Sequence, residues 1–159
     1  MKKKLLLVAI VIGAIVVKPC FGQEGELVVE DQKRAAVSFG VFHGGGGIVG
    51  ADLEFLIGGR FGLQIGAGFP TIGAGINYHF KPQINSSFVS LQYFHVGVGE
   101  SKVASLVGPM YVFRARRLLQ LGVGWGAVTS KGPLWEKAME KNPEASMLLQ
   151  FTIGLYFPF

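Results

Sequence analysis

The residues of this chain that could do chemistry are three histidines, a run of glycines and a scatter of polar side chains. His43-Gly44-Gly45-Gly46 could offer backbone N–H groups to an oxyanion. That role also needs a Gly-x-Ser-x-Gly nucleophile turn between a strand and a helix, and the sequence holds none. The run is expected instead to be a flexible surface loop. His43, His79 and His95 lack metal-ligand spacing, and the single cysteine, Cys20, allows no intrachain disulfide. Gly66-Ala67-Gly68 and Gly122-Val123-Gly124 fall inside alternating stretches and open no helix, so they read as spacers, not phosphate cradles. No catalytic, cofactor or metal site is expected. What remains is a polar set, Asp52, Glu54, Arg60, Gln64, Asn77, Gln92, Arg114, Gln120 and Gln150, whose meaning depends on the elements that carry it.

Those elements follow from alternation. Residues 60–69 put Phe61, Leu63, Ile65, Ala67 and Phe69 on one side and Arg60, Gly62, Gln64, Gly66 and Gly68 on the other. A period of two with unlike faces is the pattern of a β-strand. It recurs over 71–80, 117–127 and 149–159. Eight strands are predicted: Ala35–Phe42, Ile48–Ile57, Arg60–Phe69, Thr71–Phe80, Ser87–Val98, Val103–Arg114, Arg117–Val128 and Ser146–Phe157. A loop at Gly58–Arg60 should pair Ile57 with Phe61. A Pro70-Thr71 turn should pair Phe69 with Ile72 and Phe61 with Phe80. Phe88, Phe94 and Val96 break the alternation of strands five and six, where a bulge or a misjudged register is expected.

Composition narrows the class. Of 159 residues, 24 are glycine, half are hydrophobic and 16% are charged. Without a triplet period this is not collagen, and so apolar a chain is not disordered. The basic start Met1-Lys2-Lys3-Lys4, the apolar or small stretch Leu5 to Val17 and the exit Cys20-Phe21-Gly22 read as a signal peptide over 1–22, cleaved after Gly22. The apolar stretch falls short of the roughly 20 residues a membrane-spanning helix needs. Acylation at Cys20 is disfavoured, because Lys18 and Pro19 stand where such signals want small residues. Taking Lys2, Lys3, Lys4 and Lys18 from the 15 basic residues leaves 11 against 10 acidic ones. The basic excess is therefore mostly a targeting feature, and nucleic acid is not an expected partner. Residues 23–34 form a net acidic periplasmic tail, and 35–159 form one domain.

A sheet with one apolar and one polar face either hides its apolar face from water or presents it to lipid. Here the polar face is mainly glycine with Gln, Asn, Thr and Ser, and carries few of the charges a solvated surface needs. Small residues suit the narrow interior of an eight-stranded barrel. Lipid cannot satisfy strand edges, so strand eight should close on strand one. The fold class expected is all-β, a closed antiparallel up-and-down transmembrane barrel. Strands of about ten residues at ~3.3 Å each, tilted by ~40°, climb about 25 Å, the height of such a barrel's apolar band. Phe61, Tyr78, Phe80, Tyr111, Phe113, Phe157 and Phe159 gather at one rim as an aromatic girdle. With the amino terminus periplasmic, the long connection Thr129–Ala145, with Trp135 and short helical turns, lies outside the cell. The polar set should then line the lumen. Arg114, Arg116 and Arg117 are expected at a periplasmic turn near lipid phosphates.

The carboxyl end adds a motif. Thr152-x-Gly154-x-x-Phe157-x-Phe159 resembles the terminal strand signal of bacterial outer-membrane proteins. Pro158 lacks a ladder donor and is expected to end pairing early. In size, strand count and alternation the chain is similar to the small eight-stranded barrels, the OmpA membrane domain and OmpX-like proteins. The terminal motif implies recognition by the barrel-assembly machinery, whereas the wider resemblance is architectural and fixes no activity. The role expected is structural or surface interaction through the loops, as a monomer in contact with outer-membrane lipids and lipopolysaccharide. Two alternatives stay open: a narrow pore for small solutes, and a lipid A-modifying enzyme. For the latter, His79, His95 and Ser90 are the candidates, although the sequence has no neighbouring His–Ser pair.

Overall fold

The computed structural model describes residues 33–97, 99–115 and 118–159. The leader, most of the tail, and Arg116 and Arg117 lie outside them. Eight strands run β1 (Ala35–Val41), β2 (Val49–Gly58), β3 (Phe61–Phe69), β4 (Thr71–His79), β5 (Phe88–Val96), β6 (Ala104–Arg114), β7 (Leu119–Lys131) and β8 (Met147–Pro158). Each pairs antiparallel with its successor, and β8 closes on β1, from Ala36 opposite Pro158 to Val41 opposite Ile153. The chain is an all-β, closed, up-and-down barrel.

Alternation sorts the two faces. Leu63, Ile65, Ile76, Leu91, Leu149, Phe151 and Ile153 stand exposed on the outer wall, while Ser38, Asp52, Glu54, Gln64, Asn77, Ser90, Gln92 and Gln120 are buried inside. At the end carrying Ala35 and Phe159, exposed rings pair across strands. Phe61 meets Tyr78 and Phe39 stacks on Phe157, both with centroids 5.3 Å apart.

Several expected details are corrected. At the first hairpin Leu56 faces Gly62 and Gly58 faces Phe61, so Ile57 is an extra, bulged residue and does not pair with Phe61. At the second, Gly68 faces Thr71 and Phe61 faces Tyr78, which makes Phe69-Pro70 the turn, with a cis peptide between them. That register is displaced by two residues from the expected one, so every side chain keeps its face. No bulge interrupts β5. Phe94 points inward because the surface facing it is small: it pairs with Gly73, and an added Cβ there would lie 3.1 Å from the Phe94 ring. Phe88 also points inward, its ring packed against His79 and the Arg114 guanidinium. The irregularity falls in β7, where Ser105 faces Ser130 and Leu106 faces Val128, leaving Thr129 over. Pro158 does not end pairing either. Ala35 and Phe159 exchange both backbone hydrogen bonds, at 3.2 and 2.8 Å. On its other side the β7–β8 ladder has already stopped at Leu155 opposite Leu119, so no donor is needed at Pro158.

The connection between β7 and β8 is ordered by one side chain. It contains α1 (Trp135–Ala138), whose Trp135 is buried against a cluster with Phe94, Leu106 and Met110, and donates from Nε1 to the Pro143 carbonyl at 2.7 Å. Trp135→Phe keeps a ring but loses that bond, a loss of about 0.5–1.5 kcal/mol. Trypsin cleavage after the neighbouring Lys137 and Lys141 should therefore quicken by roughly twofold to tenfold. Unchanged cleavage would show that the bond does not hold the loop.

Candidate functional site

The interior carries two polar clusters. The first surrounds Glu54 on β2. Arg114 Nη2, at the end of β6, is 2.7 Å from Glu54 Oε2, and His79 Nε2, at the end of β4, is 2.9 Å from Oε1. Asn77 donates from Nδ2 to both Glu54 Oε1 and, at 3.0 Å, Gln64 Oε1, while it accepts from Ser90 Oγ at 2.5 Å. Arg114 also donates to Gln120 Oε1 at 2.7 Å and to the Ile84 carbonyl. Its guanidinium lies between the rings of Phe88 and Tyr156, 4.8 and 4.7 Å from their centroids. The connection after β4 closes this end, with Ile84 buried and Ser86 Oγ 3.2 Å from His79 Nδ1. One carboxylate thus holds two basic groups, and all three are almost fully buried. A buried charge is tolerated only when paired and hydrogen-bonded in this way.

The second cluster overturns the surface-loop expectation for residues 43–46. After Val41 the chain turns into the lumen, and His43–Gly46 forms a tight plug. His43 is 1% exposed. Its Nδ1 is 2.7 Å from Asp52 Oδ2, Gly44 N donates to Asp52 Oδ1 at 3.2 Å, and Thr71 Oγ1 donates to the Gly44 carbonyl at 2.7 Å. Gly44, Gly45 and Gly46 all have φ between 66° and 83°, left-handed geometry that side chains disfavour. The wall is cut to fit. A Cβ added to Gly66 would lie 3.0 Å from Gly44 Cα, one on Gly73 2.7 Å from Gly45 Cα, and one on Gly154 2.8 Å from His43 Nε2. The spacer glycines read from the sequence are, at this end, the seat of the plug.

The structure therefore divides the expected lumen network. Glu54, Gln64, Asn77, Arg114 and Gln120 are brought together, and Asp52 belongs to the plug cluster. Gln150 faces the interior with its Oε1 unbonded among the described residues. Arg60 is not part of it, because the first hairpin carries it to the rim, where it donates to Tyr78 Oη at 3.5 Å. Arg114 points into the lumen instead of joining a turn cluster, because it is the inward residue at the end of β6. Of the terminal motif, Phe157 and Phe159 face outward, whereas Thr152 and Gly154 face the interior.

Sequence reasoning missed His43, Phe88 and Phe94 as interior residues. A signal existed: Gly50, Gly66, Gly68 and Gly73 crowd one end of adjacent strands, leaving a void that close packing must fill. It also missed a histidine–serine pair that only the β5–β6 register creates. His95 faces Ser105, with Nδ1 3.0 Å from Oγ and Tyr93 Oη 3.3 Å from the same oxygen. Among the described residues no three His, Cys, Asp or Glu side chains gather as a metal site.

Fold and interior together define a closed eight-stranded barrel, plugged near one end by its own chain and bolted near the other by a buried ion-pair network. No family model, curated protein or solved structure matches the chain.

Proposed function

We propose that this protein is an integral barrel of a Gram-negative outer membrane, with a structural or surface-interaction role, neither catalytic nor conducting. The observation that carries the reading is the outer wall. Its mid-strand residues are apolar and exposed all round the barrel, Ile65 at 59%, Ile76 at 56%, Leu91 at 56% and Phe151 at 53%. In water so large a contiguous apolar surface would drive association, whereas lipid accepts it. Export through the predicted leader, recognition of Thr152, Gly154, Phe157 and Phe159 by the barrel-assembly machinery, and contact with lipid and lipopolysaccharide belong to the same proposal. The surface offered to partners is the loop end, with Lys131, Lys137 and Lys141 around α1.

Depth dependence tests the reading. Ile65→Arg, at mid-strand, should cost about 2–4 kcal/mol of folding stability in phospholipid vesicles, and Ile57→Arg, at the rim, about 0–1 kcal/mol. Equal costs would sink it. The plug and the Glu54 cluster both argue against a pore, so the purified protein should give no conductance steps in planar bilayers.

One observation bears on a second reading, a lipid-modifying enzyme: the His95–Ser105 pair stands on the outward phase of β5 and β6, but Ser105 is 3% exposed and would have to be uncovered before an acyl ester could reach it. No described carboxylate orients His95, whose other close partner is the Tyr93 hydroxyl at 3.4 Å. Mass analysis of lipid A with and without expression separates the readings, since hydrolysis would shorten the acyl inventory.

A further inference from the structure

The barrel wall is incomplete at one place. β1 stops at Val41, opposite Ile153, because the chain turns inward there to make the plug, whereas β8 begins at Met147. Residues 147–152 pair with β7, from Met147 opposite Ala127 to Thr152 opposite Gly122. On the β1 side, among the described residues, they face no strand. Phe42, with φ 59°, is the hinge of the inward turn.

Behind this gap lies a cavity of about 280 Å³, lined chiefly by Phe42, Phe94, Leu106, Leu148, Leu149 and Phe151. Its lining comes from both faces of the wall. Phe94 and Leu106 are buried, inward-facing residues, whereas Leu149 and Phe151 are exposed outward ones. The cavity therefore runs from the outer surface to the lumen side without crossing a strand. Its inner margin includes Gly45 and Gly46, which have no side chains with which to fill it.

We infer that this gap is a lateral binding site for one hydrocarbon chain of a bilayer lipid, entering between Phe42 and β8 and reaching Phe94 and Leu106. The inference rests on the membrane reading above. Three features select the ligand. The lining is aliphatic and aromatic apart from the polar side chain of Gln150, so a hydrocarbon loses little by leaving the bilayer for it. The mouth is continuous with the apolar wall, so the ligand reaches it from lipid and not from water. The volume lies just below the range of ordinary ligand pockets, about 300–1,000 Å³, which admits a length of one chain and no headgroup.

The test is photolabelling of the full barrel in vesicles of phosphatidylethanolamine and phosphatidylglycerol, doped with a phospholipid carrying a diazirine at its acyl terminus. Label is expected on inward Phe94 or Leu106 as well as on outward Ile76 and Leu91. Leu106→Trp, which fills the cavity, should abolish most of the inner label and leave the outer label unchanged. Heat-modifiable migration reports whether each variant forms the barrel, and Leu148→Phe is read in place of any that does not. Label on Ile76 and Leu91 alone overturns the lateral site and leaves the membrane reading standing, whereas absence of label from both sets overturns both. Inner label that survives the filled cavity overturns the inference. So would disulfide-linked dimers formed on oxidation of a Leu149→Cys variant in the same vesicles, which would give the gap to a second copy of the chain.

Discussion

Glu54→Leu is expected to lower the unfolding free energy by about 3–5 kcal/mol, because it leaves two basic groups buried beside an apolar side chain. Arg114 would keep its bond to Gln120 and its place between the Phe88 and Tyr156 rings, yet its charge would be uncompensated. His79 would lose its Nε2 partner, and Asn77 one of its two acceptors. The double variant Glu54→Leu/Arg114→Met removes both charges together and should recover most of the loss, since a buried ion pair replaced by apolar groups of similar volume is often neutral. Urea unfolding in detergent micelles measures both. If the double variant is no more stable than Glu54→Leu alone, the uncompensated Arg114 charge is not the reason for the loss.

Gly45→Val should unseat the plug. At φ 83° a non-glycine residue costs about 1–2 kcal/mol, and the new side chain would be driven into the Ile72 carbonyl, an overpacking cost of about 1–3 kcal/mol more. Gly46→Ala shares the left-handed backbone, but its Cβ would meet nothing nearer than the Phe94 ring at 3.9 Å, so only the backbone cost of about 1–2 kcal/mol applies. The same unfolding experiment ranks the two, and diethylpyrocarbonate reports on His43. The imidazole should be protected in the parent and in Gly46→Ala, and modified in Gly45→Val. Equal costs, or modification of His43 in the parent, would refute a seated plug.

These two variants probe features of different legibility. Glu54, Gln64, Asn77, Arg114 and Gln120 can be placed in the lumen from the sequence because each sits on the polar phase of an alternating run. Their joining also needed His79 and Ser90 from neighbouring strands, which parity permits without specifying. The plug was not legible. His43-Gly44-Gly45-Gly46 between two strands is locally indistinguishable from any glycine-rich turn. Its inward course depends on Gly66, Gly73 and Gly154, which belong to three other strands.

The β5 irregularity has the same origin. Phe88 and Phe94 look misplaced when a strand is read alone, because a glycine-lined interior is assumed to want small residues throughout. Once strands are paired, Phe94 fills the space of Gly73, and Met110 on β6 faces Gly124. Large and small residues complement each other across the lumen, as packing at constant density demands.

By itself the sequence determined what the period of two can encode: eight strands, their antiparallel order and the face taken by side chains on the regularly alternating runs. That information is local, because alternate side chains on an extended backbone must point to opposite sides. Only the tertiary structure decided what fills the interior, which charges meet and where β1 gives up its place in the wall. Those outcomes turn on the volume left when eight faces close around one axis, and no single strand carries it.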